Sequence, residues 1–177
     1  MKIKISIPKT TISIPTVYDF RKYLGACIDI WKGPVEGDGL SGDDDVDHRS
    51  LLLKEVHFSD FVFDNCLQPG ERDISMEEKL SRLKEKKDFI GFGVNVFIAL
   101  WEDYQKKKKR SALEWFYNNC SISGMDFPGT MLKERYSEHR QLLWLVRCRG
   151  TSGGKWEYGF DRWYNYDTTL SVGMSVK

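Results

Sequence analysis

The stretches QLLWLVRCR (residues 141–149) and KWEYGFDRWY (residues 155–164) decide the fold of this chain. The first is an apolar run that ends in arginine and cysteine. In the second, Trp156, Tyr158 and Phe160 alternate with acidic residues or glycine, the period of two that places them on one face of a β-strand. Both stretches therefore predict strands of an aromatic-rich β-sheet.

Turn residues connect these strands to each other and to further strands. Thr151-Ser-Gly-Gly154 predicts a hairpin turn, since glycine adopts positive φ without steric cost. Residues 124–132 predict a strand interrupted at Pro128-Gly129, and residues 168–176 predict the strand that closes the sheet. The predicted fold is α+β: a C-terminal antiparallel β-sheet of about four strands packed against two or three helices, with an N-terminal β segment.

Capping signals and apolar spacing predict the helices. Ser75-Met-Glu-Glu78 and Ser111-Ala-Leu-Glu114 both have capping-box spacing, so helices are expected from residues 76 and 112 onward. Between them, apolar residues recur at helical spacing and predict a longer helix that starts near Asn95, a residue able to cap it. Its apolar positions are Val94, Phe97, Ile98, Trp101 and Tyr104.

The first third of the chain carries weaker patterns. Residues 2–7 alternate lysine or serine with isoleucine, and residues 11–14 form a short apolar run, so both segments predict strands. Residues 19–31 predict a helix from apolar spacings of three and four, and residues 51–56 predict a buried strand. Residues 33–50 are rich in glycine and aspartate and predict a flexible acidic loop or linker.

Length and composition predict a single domain over residues 1–177. The chain has 177 residues, of which 41% are hydrophobic and 14% aromatic, enough to bury a sizeable core. The formal net charge is +1, with the basic excess in the second half. A dedicated nucleic-acid binder usually has a strongly basic net charge, which this chain does not have.

Cysteine usage and hydropathy predict the compartment. The four cysteines lie far apart and form no CxxC pair, so the spacing predicts neither a disulfide framework nor a zinc site. The first residues lack the apolar core of a signal peptide, and no run approaches about 18 apolar residues, the length of a membrane span. We expect a cytoplasmic protein without a membrane partner.

An acidic cluster in the predicted loop has part of the pattern of a calcium site. Asp43, Asp45 and Asp47 take the first, third and fifth positions of a calcium loop. His48 then stands where glycine is required, and Lys54 where glutamate is required. A solvated loop is the preferred interpretation, and no metal or cofactor is predicted.

One pair of residue types suggests nucleophilic catalysis. Cys27 near the start of a predicted helix, with His57 or His139 as the base, resembles the arrangement of a cysteine hydrolase. No local signature surrounds these residues, and a packed cysteine with exposed histidines is the preferred interpretation. A small Cys/His hydrolase is kept as an alternative function.

A basic run closes the longest predicted helix, at Lys106, Lys107, Lys108, Lys109 and Arg110. Cations at a helix C-terminus complement its dipole, so a solvated helix end explains the run. The other interpretation is a nucleic-acid-binding protein in which the run contacts phosphates while aromatic side chains stack on bases. A nucleic-acid partner is therefore the second hypothesis.

The aromatic residues of the C-terminal sheet divide into two groups. Those on the alternating strand are expected to form the floor beneath the long helix. Trp163, Tyr164 and Tyr166, with Arg162 beside them, are expected to be exposed near a turn. Trp, Tyr and Arg dominate the energetics of protein interfaces. The favoured hypothesis is a non-enzymatic protein-interaction module with a protein partner.

Several pieces, in the same order over about two thirds of the chain, resemble a family of uncharacterised small proteins from candidate-phyla bacteria. The pieces are EVHFSDFVFDNCLQPGE, EEKLSRLKEK, GVNVFIALWEDYQ, SALEWFY, DFPGTMLK and GGKWEYGFDRWYNYD. Members tend to have phenylalanine where Pro128 stands here, which implies a bend in that strand. The resemblance implies one intact intracellular domain and includes Asn95 in its pattern, but it transfers no activity.

Overall fold

Short helices and strands alternate along the first half of the chain, and strands dominate the second. The computed structural model describes residues 10–31, 46–135, 140–148, 154–161 and 170–176. The helices within these ranges are α1 (Arg21–Leu24), α2 (His48–Leu51), α3 (Met76–Glu85), α4 (Val94–Lys107) and α5 (Ala112–Cys120). The strands are β1 (Thr11–Ser13), β2 (Ile28–Ile30), β3 (Glu55–His57), β4 (Phe61–Asp64), β5 (Phe89–Gly91), β6 (Gly124–Glu134), β7 (Gln141–Arg147), β8 (Trp156–Asp161) and β9 (Leu170–Ser175).

A mixed sheet organises the fold. Its described strands number seven, in the order β4-β9-β6-β7-β8, with β2 paired to β6 and β5 paired to β9. The expected α+β class is confirmed, but the expected antiparallel sheet of about four strands is wrong. The reason is the placement of β9, which lies between β4 and β6 and runs parallel to β6, with Met125 opposite Leu170. A separate antiparallel pair joins β1 to β3.

Helices cover both faces of this sheet. Alternation along β7 shows the two sides, because Leu142 clusters with Met76 and Leu80 of α3, whereas Leu143 belongs to the larger core under α4 and α5. Neighbouring residues of a strand point to opposite faces. The sheet is therefore a central layer, with α3 on one side and α4 with α5 on the other.

The alternating aromatics of β8 form the floor beneath α4, as predicted. Trp156 is buried, and the ring of Tyr158 lies 5.3 Å from that of Phe97 and 4.8 Å from that of Trp101, both T-shaped. The Trp156 amide donates to the hydroxyl of Tyr104 over 3.2 Å. These residues are core and offer no exposed aromatic row for a ligand.

Both predicted capping positions are confirmed. Ser75 Oγ accepts the amide of Glu78 at 3.2 Å, and Ser111 Oγ accepts the amide of Glu114 at 3.3 Å. The cap at the start of α4 is different from the prediction, since Gly93 holds that position. Asn95 lies inside the helix and is buried, where its amide donates to the carbonyl of Ser50 over 2.7 Å.

Two local predictions in the first third are wrong. The helix expected over residues 19–31 ends at Leu24, because Gly25 turns the chain with φ of 100° and β2 then pairs with β6. The buried strand expected over residues 51–56 begins at Glu55. Residues 48–51 instead form α2, and Leu52 is 79% exposed.

The short strand expected over residues 11–14 is confirmed as β1. The strand expected over residues 2–7, residues 151–153 of the expected turn and residues 33–45 of the acidic segment 33–50 lie outside the described ranges. The described end of that segment, residues 46–50, is not a flexible loop. Val46 and Asp47 are buried, Val46 bridges to Thr130, and α2 begins at His48. Among the described helices, none combines the length and apolar character that crossing a membrane requires.

Glycines allow two backbone segments to cross at the start of α4. A Cβ on Gly129 would lie 2.1 Å from the carbonyl oxygen of Gly91, and one on Gly93 would lie 2.5 Å from Thr130 Oγ1. The Gly129 amide donates to the Phe92 carbonyl over 3.0 Å. This approach joins β5 to the middle of β6, where the β6–β7 register shifts.

A charged pair lies in the core between α3 and the sheet. Lys79 Nζ lies 2.5 Å from Asp126 Oδ2, and Ser171 Oγ donates to Asp126 Oδ1 over 2.6 Å. The relative exposures of these three residues are 0%, 1% and 0%. Burying a charge is costly unless it is paired, so this contact fixes how α3 lies on β6 and β9.

We predict that Gly129→Ala destabilises the fold by at least about 3 kcal/mol, because its methyl group collides with backbone atoms that cannot move independently. Gly70→Ala is the control. That residue has φ of 94° but no atom within 4 Å of an added Cβ, so we expect only the backbone strain of about 1 kcal/mol. Urea unfolding followed by circular dichroism measures both. Equal losses of unfolding free energy in the two variants would contradict the close approach of the two backbone segments.

We predict that Lys79→Met costs about 3–5 kcal/mol of unfolding free energy, since it leaves the carboxylate of Asp126 buried without its cation. Lys84→Met on the same helix is the matched control, because Lys84 is exposed and a surface substitution changes stability by about 0.5 kcal/mol or less. Chemical denaturation of both variants tests this. A Lys79→Met protein as stable as the control would show that the pair contributes little.

Candidate nucleic-acid interface

The predicted basic run lies at the junction of α4 and α5. Lys106 and Lys107 end α4, and residues 108–110 form a 3-10 turn. Lys108 takes φ of 50° and ψ of −116°, a non-helical conformation that ends the long helix and redirects the chain. All five basic residues of the run are exposed.

Three of these five cations have partners on α4 itself. Lys106 Nζ lies 2.8 Å from Glu102 and Lys107 Nζ lies 2.6 Å from Asp103, each one helical turn earlier. Lys108 Nζ donates to the side chain of Gln105 over 2.7 Å. The contacts of Lys106 and Lys108 are exposed, contribute little energy and rearrange easily. The Lys107 contact is firmer, because the Asp103 side chain is only 13% exposed.

Lys109 and Arg110 differ from the other three. Within the part of the chain that the structure describes, neither side chain has a hydrogen bond or an ion pair. Their charges are therefore available to solvent or to an anion. A solvated helix end therefore explains Lys106 and Lys107 better than it explains Lys109 and Arg110.

A cavity of about 290 Å³ lies between β1 and the α4–α5 junction. Lys107 and Arg110 line it together with the indole of Trp115. The other lining residues are Thr10, Thr11, Ile12, Phe58, Asp103, Ser111 and Ala112. This volume is near the lower end of ligand pockets and suits a single flat ring.

The aromatic wall of this cavity is well ordered by packing. Trp115 is half-buried, and its ring lies 5.5 Å from that of Phe58 and 5.4 Å from that of Phe116. The sequence-based hypothesis looked for stacking residues in the C-terminal sheet and missed Trp115. The sequence position of Trp115 could have indicated it, because Trp115 lies one helical turn after Ser111, the capping residue that follows the basic run.

The carboxylates near the junction are already neutralised. The hydrogen bond from Lys106, then that from Tyr23, lowers the pKa of Glu102. The same hydrogen bond with Glu102 raises the pKa of Tyr23 to about 12, so the phenol stays protonated at neutral pH. Asp103 is held between Lys107 and the Ala112 amide, which donates over 2.7 Å. The surface at the junction is therefore cationic.

The residues of the favoured protein-interaction hypothesis are not placed by the structure. Arg162, Trp163, Tyr164 and Tyr166 lie outside the described ranges. Their role at a protein interface stays a prediction.

The Cys/His pair of the hydrolase hypothesis is only partly placed. Cys27 is exposed beside the pairing of β2 with β6, whereas His57 lies on β3 of the two-stranded sheet. His57 Nδ1 is hydrogen-bonded to Thr11 Oγ1 at 2.9 Å. No hydrogen bond between described residues joins Cys27 to His57, and His139 is outside the described ranges. The hydrolase stays a prediction.

The calcium-like cluster is also only partly placed. Asp47 caps α2, and its carboxylate accepts from the amide and guanidinium of Arg49. Asp43 and Asp45 are not among the described residues. Among those that are, no group of three or more His, Cys, Asp or Glu side chains is arranged to hold a metal ion.

We predict that alkylation by iodoacetamide separates the cysteines. Cys27 is exposed and should react first, whereas Cys66 should react last, because burial raises the pKa of its thiol to about 12. Peptide mass spectrometry at mildly alkaline pH measures the order, with urea-unfolded protein as the control in which all four cysteines react alike. Equal rates in the native protein would contradict the burial of Cys66.

The α4–α5 junction thus places Trp115 beside Arg110, a cation that has no hydrogen bond or ion pair among the described residues. This pairing is typical of sites for anionic ligands that carry a ring. Comparison of the chain with protein-family models, curated proteins and solved structures finds no match. The resemblance to the candidate-phyla family stays a prediction. The function is therefore argued from the contacts of the chain itself.

Proposed function

We propose that this protein binds single-stranded nucleic acid at the α4–α5 junction. The observation that carries the proposal is the cavity where Arg110 and Lys107 stand beside the Trp115 indole. Single strands are held by cations that follow the phosphates and by aromatic rings on which bases stack. The cavity brings both parts together from residues 107–115 of the chain.

The phosphates would be contacted by the exposed cations of the run. Lys109 and Arg110 need to break no described contact to do so, whereas Lys107 must leave its ion pair with the largely buried carboxylate of Asp103. For single strands, each neutralised phosphate contributes about −0.7 to the slope of log affinity against log salt concentration. Three contacts therefore give a slope of about −2.

The base would stack on Trp115. Its indole lines the cavity, and packing against Phe58 and Phe116 fixes its orientation without burying it completely. A preordered ring loses little conformational entropy on binding. Stacking of one base on an aromatic side chain contributes about 1–3 kcal/mol and accepts any base, so we expect little sequence preference.

The cavity also contains groups that limit its ligands. Asp103 lies in the wall and its carboxylate already holds Lys107, so Arg110 is the lining cation without a hydrogen bond or ion pair among the described residues. A phosphate is therefore favoured at the Arg110 rim and an uncharged ring inside. This division suits a nucleotide of a longer strand better than a small inorganic anion.

The test is fluorescence anisotropy with a labelled oligouridylate in a salt series. We expect Lys109→Gln/Arg110→Gln to reduce affinity and to flatten the salt slope by about 1.4, two phosphate contacts. Trp115→Leu should weaken binding about fivefold to a hundredfold, whereas Trp115→Phe should keep most of it. Thermal unfolding by circular dichroism verifies that each variant is folded.

Lys22→Gln/Lys54→Gln is the charge-matched control, since both lysines are exposed and line neither this cavity nor its rim. We expect it to bind as the wild type does. The proposal is wrong if the oligonucleotide does not bind at low salt, or if the control variant loses as much affinity as the Lys109/Arg110 variant.

A further inference from the structure

One wall of the cavity at the α4–α5 junction is the edge of β1. Thr10, Thr11 and Ile12 line this wall, across from the junction that carries Arg110 and Trp115. Successive residues of a strand point their side chains to opposite faces. A cavity lined by three successive residues therefore runs along the edge of the strand, where backbone groups are accessible. The other edge of β1 is occupied by β3.

The pairing of β1 with β3 decides which backbone groups meet the cavity. The Phe58 amide donates to the Thr10 carbonyl over 3.0 Å, and the Ile14 amide donates to the Lys54 carbonyl over 2.8 Å. In an antiparallel pair, alternate residues direct both their N–H and C=O groups to the partner strand. The N–H and C=O groups of Thr11 therefore point away from β3, and neither has a hydrogen bond to a described residue.

The side chains of this wall add a hydroxyl group. Ile12 belongs to the core beneath α4, and Thr10, two residues earlier, points its side chain to the same face of the strand. Thr10 Oγ1 has no hydrogen bond among the described residues. The Thr11 hydroxyl lies on the opposite face, where it is bonded to His57 Nδ1 at 2.9 Å. The wall thus presents one hydroxyl, one N–H and one C=O that lack a partner in the described part of the chain.

A ribose hydroxyl has the chemistry that these groups require. With a base on Trp115 and its phosphate at Arg110, the sugar that joins them meets the remaining wall, which is β1. A hydroxyl group both donates and accepts, so it can bond to a C=O and to an N–H or second hydroxyl. The 2′-hydroxyl is the group by which proteins distinguish RNA from DNA. A deoxyribose would leave the polar groups of this wall unpaired, which costs free energy.

We propose that this cavity binds RNA in preference to single-stranded DNA, with Thr10 and the backbone of Thr11 holding the 2′-hydroxyl of the nucleotide that stacks on Trp115. This inference rests on the proposed function and narrows its ligand. Both kinds of strand carry the same phosphates, so the basic run contributes equally to both. The preference should be about threefold to tenfold, the contribution of one net hydrogen bond.

The test compares three labelled oligouridylates of equal length by fluorescence anisotropy, with ribose, deoxyribose or 2′-fluoro sugars. The 2′-fluoro sugar keeps the pucker of ribose but has no hydroxyl proton. We expect the ribose strand to bind about threefold to tenfold more tightly than the other two. The salt dependence of the three affinities should be the same, because the strands carry the same number of phosphates.

Variants of Thr10 assign the preference to this wall. Thr10→Val has nearly the same shape and should lower the affinity for the ribose strand about threefold, while the affinity for the deoxyribose strand stays unchanged. Thr10→Ser keeps the hydroxyl and should keep the preference. Thr16→Val is the matched control, since Thr16 is exposed and does not line the cavity. Circular dichroism verifies that every variant is folded.

Equal affinity of the wild type for the ribose and deoxyribose strands overturns this inference and leaves the proposed function standing. A 2′-fluoro strand that binds as tightly as the ribose strand does the same, since sugar pucker would then set the preference. Equal losses for both strands in Thr10→Val also contradict the inference, because they show a packing role for Thr10. If neither strand binds at low salt, the proposed function fails and this inference fails with it.

Discussion

The close approach of Gly91 to Gly129 is the constraint on which the rest of the structure depends. No side chain larger than hydrogen fits where the two backbones cross. Because they cross, β5 can pair with β9 while its continuation bonds to the middle of β6. Asp47 joins the same point, since its amide donates to the Gly129 carbonyl over 2.9 Å. The start of α4 and the anchor of α2 are therefore positioned together.

From that point α4 extends across the sheet to the basic turn at the candidate nucleic-acid interface. The helix is buried along most of its length against the β8 aromatics, so it gives that turn a rigid support. On the other face, the Lys79–Asp126 contact sets the position of α3.

Elements encoded by neighbouring residues could be predicted from the sequence, and elements that depend on distant partners could not. The Ser75 and Ser111 caps and the β7–β8 pairing follow from local patterns. The parallel pairing of β9, the short β5 strand and the buried Lys79 follow from contacts between segments far apart in the chain, the nearest being Met125 with Leu170. The same division applies to the candidate site. The basic run at 106–110 was visible, but its meeting with Thr10 and Phe58 required the fold.

The interior position of β9 has a consequence for synthesis on the ribosome. Strands β4 and β5 both pair with β9, although the chain makes them roughly 80 to 110 residues earlier. Until residues 170–175 emerge, the edges of β4 and β5 that β9 later covers stay open. Exposed strand edges are templates for wrong pairing. The nascent chain therefore passes through a long interval in which chaperones, rather than its own sheet, must shield these edges.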